Sequence, residues 1–311
     1  MNMNPNGGSE LALANLYNHV PEDKLRDFNF QVNLGNYDCL RDDKINILWN
    51  QINIDQASVE TFINDRYLNK IDYIVYVSHW QYEKFRYRFP IPEQKSVVIK
   101  NAVLEIPFAI KPKKIKLIYT STPWRGLDVL LDAFELLDRD DVELDIYSST
   151  IIYGSDFYDK ANLSFVELFD RASKMKNVNY FGYASNSDVR YALQQAHIFA
   201  YPCTWEETSC MSAIEAGMAG LSIVTTNLGA LFETLSEWPT YVCWETNRAN
   251  LTKKFAHELN LAIEDYWLES TQLRLSKQQD FFCRFWSWEA RAKNWISFLD
   301  SATARKTLIK K

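Results

Sequence analysis

The sequence predicts an α/β protein made of two Rossmann-like, doubly wound parallel-sheet domains facing across a cleft, the first of them reduced. Three observations carry this. Short β-rich runs alternate with helical patterns along most of the chain, the mark of βαβ units and parallel sheets. The 311 residues suit two domains. The stretch Leu104–Lys114, with Pro107 and Pro112, reads as a linker between two such blocks.

The second block is the clearer one. Strands are expected at Ile115–Ser121, Val142–Ser149, Val178–Ala184, Ile198–Cys203, Leu221–Asn227 and Tyr241–Glu245. Helices are expected near 127–137, 160–176, 187–196, 208–219 and 229–236. Leu127, Leu130, Leu131, Phe134 and Leu137 form one apolar stripe at helical period. The first block repeats the alternation in shorter form, with helices near 9–19, 56–69 and 79–88 and strands near 28–34, 45–49, 72–77 and 96–99. From about 250 the chain reads as helical to its end, with a break around Phe285–Trp288. The domains are thus 1–104, a linker at 105–114, 115–285, and a last helix at 286–311. Gly7-Gly8-Ser9-Glu10 looks like the turn between a first strand and a first helix, yet almost nothing precedes it. Either the domain is reduced or the true start lies upstream.

Composition narrows the classes. With 47% hydrophobic and 24% charged residues the chain is neither disordered nor fibrous, and a net charge of −6 gives no footprint for nucleic acid. Five scattered cysteines without a C-x-x-C pair argue for a reducing compartment and against structural zinc. The start is polar and uncharged, unlike a signal peptide, and no apolar run approaches the ~20 residues of a bilayer span. A cytoplasmic protein is expected. Most of the ten tryptophans should be core or interface anchors. With only nine glycines, each is expected to have a backbone reason.

The chemistry concentrates between Tyr201 and Gly220. Glu207 falls in the loop after a strand and Glu215 in the following helix, seven residues between them. Eight helical steps would set them roughly 12 Å apart along the axis. That suits a ligand with two polyol ends, such as a nucleotide sugar, with one carboxylate at the sugar and the other at the ribose. The backbone N–H groups of Thr208, Ser209, Cys210 and Met211 could hold the phosphates between them. Taken alone, two glutamates at this spacing are most often a solvated helix face. The small Ala213, Ala216, Gly217, Ala219 and Gly220 count against that, because they let the helix pack close to a sheet.

This segment resembles the E-x7-E signature of retaining glycosyltransferases of family 4, whose fold is GT-B. Pro202, Glu207, Glu215, Ala216, Ala219 and Gly220 match it, whereas Thr208-Ser209-Cys210 stands where Gly-Phe-Gly is common. Tyr119–Leu131 resembles the family's G-R-x-x-x-x-K-G-x-x-x-L-L element, with Arg125 in the lysine's place before Gly126 and Thr120 at the earlier arginine. Gly7-Gly8 resembles the glycine loop facing the donor phosphates. Ile99-Lys100-Asn101-Ala102-Val103 resembles the strand end before the linker. Asn227–Glu233 resembles the G-G-x-x-E turn near the nucleotide, and Phe285–Leu299 the last helix, which in this fold crosses back to the first domain. Where the family often has a histidine near the donor sugar, this chain has Gln51, with His79 the nearest other candidate.

The resemblance implies transfer of a hexose from a nucleoside-diphosphate sugar to an unknown acceptor, with no metal or other cofactor. Arg125 and Glu207 would be the catalytic residues. The donor would be bound by Glu215, Gly126, Gly7, Gly8 and residues 208–211, with Gln51, His79 and Asn101 as further candidates. A glycan-binding or nucleotide-sugar-binding remnant, and an epimerase on the same fold, are the alternative readings. Other motifs fail on context. No G-x-G occurs. Asp138-Arg139-Asp140 follows a helix rather than a strand, and the four histidines lack ligand spacing. Lys306, Lys310 and Lys311 read as a solvated basic tail, with weak peripheral membrane contact as the lesser reading.

Overall fold

The computed structural model describes residues 7–33, 37–56, 58–59, 65–151 and 162–309. The chain forms two compact units. The larger holds residues 1–7, 104–206 and 210–284, and the smaller 8–103, 207–209 and 285–311.

The smaller unit carries β1 (Phe28–Val32), β2 (Ile45–Asn50), β3 (Tyr73–Tyr76) and β4 (Ser96–Val98), all parallel and in the order β1-β2-β3-β4. Each strand falls within two residues of its expected span. Its helices are α1 (Gly8–His19), α2 (Glu22–Leu25), α3 (Asp65–Lys70) and α4 (His79–Arg88). The expected helix near 56–69 is described only over α3, its middle lying outside the described residues. Ser78 caps α4 by accepting from the Gln81 N–H.

The larger unit holds β5 (Ile115–Tyr119), β6 (Val142–Ile146), β7 (Val178–Tyr180), β8 (Ile198–Tyr201), β9 (Ser222–Thr226) and β10 (Thr240–Val242). They make one parallel sheet in the order β10-β9-β8-β5-β6-β7. The helices are α5 (Leu127–Leu137), α6 (Val166–Lys174), α7 (Asn186–Gln195), α8 (Met211–Met218), α9 (Leu231–Leu235) and α10 (Arg248–Glu264). Leu127, Leu130, Leu131 and Phe134 of the α5 stripe are buried. Asp138-Arg139-Asp140 follows α5 and is spent on surface ion pairs, Arg139 with Asp141 and Asp140 with Lys176.

The helical tail has two breaks. After α10 come α11 (Glu269–Trp286) and α12 (Trp288–Ile309), parted only by Ser287, which bridges to Val103. The α12 helix and α1 close one face of the four-stranded sheet, where Trp49 and Trp295 meet edge to face at 4.8 Å. The other face buries Tyr67, Tyr76 and Phe85. Trp49, Trp286, Trp288 and Trp295 are all buried, so four of the ten tryptophans serve as anchors in this unit.

The segment expected as a linker packs onto the larger unit. Arg190 donates to the Glu105 carbonyl, Gln194 to that of Pro107, and Lys111 Nζ to those of Leu193 and Ala219. Beside it His197 is buried. Its Nδ1 accepts from the Lys116 N–H, which leaves Nε2 to donate to the Pro112 carbonyl at 2.9 Å. Burial pushes this imidazole down to about 4, so it stays neutral. The tail is less free than the sequence implied, since Lys306 Nζ donates to the Lys44 carbonyl at 2.8 Å. Lys310 and Lys311 lie outside the described residues. Among the described residues no helix is long and apolar enough to cross a membrane.

Candidate active site

The order of the larger sheet reverses between β5 and β8. From β5 the chain proceeds outward through β6 and β7, and from β8 it proceeds the other way through β9 and β10. Loops leaving the carboxyl ends of such neighbours diverge and open a crevice, where ligands of open α/β sheets bind. Arg125 follows β5, and the Glu207–Glu215 segment follows β8. The topology therefore converges on the two motifs singled out from sequence.

Contacts hold the two loops side by side. Thr204 Oγ1 donates to the Trp124 carbonyl at 3.2 Å. Gly126, at φ +99°, comes so close to β8's exit that a Cβ there would lie 2.1 Å from the Pro202 carbonyl oxygen. Only glycine fits that backbone and that contact. Arg125 ends the 3-10 turn Pro123–Arg125 and is half-buried, its N–H donating to the Thr122 carbonyl.

The α8 helix begins at Met211, not at 208, with Cys210 as an N-cap lacking a side-chain cap bond. Glu207 is thus off the helix, and the helical-rise separation from Glu215 does not apply. The first N–H groups of α8 have no intrahelical acceptor by geometry, leaving a positive end beside the crevice. Cys210 Sγ sits 3.3 Å from Ser212 Oγ. The α8 helix packs against β9, as its small residues implied, and Gly217 also meets a second neighbour, since a Cβ there would lie 2.6 Å from the Phe282 ring of α11.

Glu215 is half-buried, and burial pushes its carboxyl up to about 7, against the opposing pull of Arg190. Arg190 is a site neighbour that the sequence reading missed. Its only signal was a cation on the helix preceding β8. The buried Thr122 hydroxyl, next to the Arg125 turn and without a hydrogen-bond partner, was also missed.

The smaller unit gathers another group. Gln51, just past β2, and Asn101, past β4, exchange amide hydrogen bonds in both directions at 3.0 and 2.9 Å. Thr208 Oγ1 donates to the Gln51 carbonyl at 3.0 Å. Glu207 and Ser209 of the same segment are buried, and Ser209 Oγ lacks a hydrogen-bond partner. Gly8 opens α1, preceded by the buried Gly7. His79 opens α4 and lines a separate groove with residues of β4 and α12. Among the described residues, no group of three or more His, Cys, Asp and Glu side chains is placed to hold a metal ion.

Residues 105–279, more than half of the chain, match the family described as Glycosyl transferases group 1, and the chain belongs to that family. Its fold is GT-B. Solved structures similar to it include a glycosyltransferase from Rickettsia africae, at 15% identity over 97% of this chain and 84% of that one, with a TM-score of 0.67. Another is HepE from Anabaena in complex with UDP-glucose, at 14% identity over 88% and 79%, with a TM-score of 0.66. A third is sucrose-phosphate synthase from Thermosynechococcus elongatus, at 12% identity over 90% and 74%, with a TM-score of 0.69. No curated protein sequence matches the chain. It is a glycosyltransferase.

Proposed function

We propose that the protein transfers a hexose from a nucleoside-diphosphate sugar to an acceptor in glycan biosynthesis, with retention at the anomeric carbon, as a cytoplasmic member of family 4. The observation that carries this reading is the meeting of Arg125 and the loop leading to Glu207 at the strand-order reversal. The family membership and the UDP-glucose complex of a structurally similar protein support the donor class.

In this reading the diphosphate sits at the start of α8, held by the N–H groups of residues 208–211 and by the Arg125 guanidinium, with Gly126 admitting the close turn. Glu207 orients the donor sugar and Glu215 accepts from the ribose hydroxyls. The bond from the anomeric carbon to phosphate breaks as the bond to the acceptor oxygen forms on the same face. The departing phosphate oxygen takes the acceptor proton. Charge builds on the diphosphate, so Arg125 is the main transition-state stabiliser, and neither a metal nor a covalent nucleophile is required. Gly7 and Gly8 are carried over as donor-loop residues from the family resemblance alone. Gln51 and Asn101, clasped to each other, fix the Glu207–Ser209 segment through Thr208 rather than moving a proton.

A ligand that binds only the folded state raises its melting temperature. Titration with UDP, GDP and ADP should give a rise with one base. Arg125→Ala should weaken that nucleotide by about tenfold or more, the scale of one lost charge-assisted hydrogen bond. No rise with any of the three, in a folded sample, overturns the donor assignment.

A further inference from the structure

A second cavity, of about 700 Å³, runs along the smaller unit between the outer side of β4 and α12. Among the described residues β4 is an edge strand with no strand beyond it. Along α12 the groove is lined by Arg291, Asn294, Ser297, Ser301 and Arg305, a polar stripe that runs about 21 Å at 1.5 Å per residue. Tyr73 and Phe298 add ring surface, packed edge to face at 5.2 Å.

The charges are uneven. Toward the end of α12 Arg305 lines the groove, whose lining also includes the carboxylate of Glu93. At the other end, Arg291 and Lys100 share one indole, their cationic groups 5.8 and 5.5 Å from the Trp286 ring centre. Arg291 is only 9% exposed. It donates to Asn294 Oδ1 and to the Phe285 carbonyl, while its Nε has no partner and, among the described residues, no carboxylate pairs with it. It also sits in the first turn of α12, where the helix dipole disfavours a cation. Burial lowers it to about 10. A buried guanidinium without a counter-ion is costly, and an incoming oxyanion would remove that cost.

We propose that this groove binds an acidic saccharide chain, with a carboxylate or phosphate of that chain held by Arg291 and Lys100. The hydroxyl and amide groups of Asn294, Ser297 and Ser301 suit sugar hydroxyls, and the cationic end suits the acid. Lys100 immediately precedes Asn101, so the anionic end lies next to the Gln51–Asn101 clasp. The assignment of the saccharide as acceptor or product rests on the glycosyl-transfer reading.

Calorimetric titration of the full chain tests this with three probes: a galacturonic acid hexamer, maltohexaose and inorganic phosphate. The acidic hexamer should bind about tenfold tighter than the neutral one, the scale of a single charge-assisted contact. Lys100→Gln and Arg291→Gln should each cost about that factor, and Arg305→Gln much less. Should Arg291→Gln fail to fold, Lys100→Gln still decides. Equal binding of the two hexamers, or no loss in Lys100→Gln, overturns the proposal. Phosphate binding as tightly as the acidic hexamer overturns its saccharide part. The nucleotide-induced rise in melting temperature should be unchanged in Lys100→Gln, so failure here and failure of the donor assignment are separately visible.

Discussion

The two sheets share parallel strands and buried centres, yet only one has a reversal in its strand order. In the six-stranded sheet, β5 and β8 send their loops in opposite directions and leave a crevice at their carboxyl ends. In the four-stranded sheet β1 to β4 run in sequence, so successive loops move the same way and no crevice is forced open. The contents follow the topology. The crevice side carries a cation, an N-terminal helix end and a carboxylate of raised pKa. The sequential sheet carries a neutral amide clasp at its carboxyl end and its cations beyond its edge. On the donor reading proposed above, the nucleotide goes where strand order reverses, while the sequential sheet has its groove beyond the edge strand.

The strongest way to break this contrast is at Glu207. Glu207→Gln keeps the volume and removes the charge. It should lower sugar release from the donor by about a hundredfold or more, as expected when a reacting group loses its positioning. The melting temperature should not change. Normal turnover in this variant, followed by chromatography of the released sugar, would remove Glu207 from the site.

Next comes Gly126→Ala. A left-handed φ of +99° and a carbonyl oxygen 2.1 Å from the added Cβ force the β5 and β8 exits apart. The expected cost is about 2 kcal/mol or more of unfolding free energy. Nucleotide binding should fall with it. An alanine variant with wild-type denaturant midpoint and wild-type binding would mean the two loops are not held together here.

The smallest effect concerns Glu215. Its carboxyl is raised from 4.5 to about 7, so the folded state disfavours the charged form. Stability is therefore highest below about 4.5 for this group and falls as pH rises toward about 7. His197, held down to about 4, acts in the opposite direction, costing stability as pH falls below its ordinary 6.5. The readout is the difference between wild type and Glu215→Gln. The variant should gain relative melting temperature between pH 5 and about 7, the upper end being set by that carboxyl. A constant difference across that range would mean that the carboxyl titrates normally.

Much of the larger unit was legible because its signals are local. The α5 stripe from Leu127 to Leu137 reads directly as one buried face, and strands 115–119 and 198–201 announce themselves by β-branched and aromatic runs. Glu207 stood out by its spacing to Glu215, and Arg125 and Gly126 by their resemblance to a family element. What escaped depends on contacts between distant residues. The Gln51–Asn101 pair joins positions fifty apart, and Gly217 owes its size to Phe282 on a helix more than sixty residues later. The helix start at Met211 instead of 208 was also hidden, because Thr208 gives its hydroxyl to Gln51 rather than to a cap. Arg190 carried no motif, and its bearing on Glu215 arises only from packing.

Lys111 gives α8 an asymmetry with electrical consequences. Its ammonium donates to the Ala219 carbonyl just past the last turn, and to Leu193 at the end of α7. The negative pole of α8 is thus already compensated by protein charge, while its positive pole meets no cation-neutralising carboxylate within the first turn. The eight-residue helix is thus grounded at its carboxyl end by a lysine from outside the helix. Burial lowers Lys111 to about 8, so this grounding weakens in mildly alkaline solution, and anion affinity at the far end becomes sensitive to a lysine that never touches the ligand.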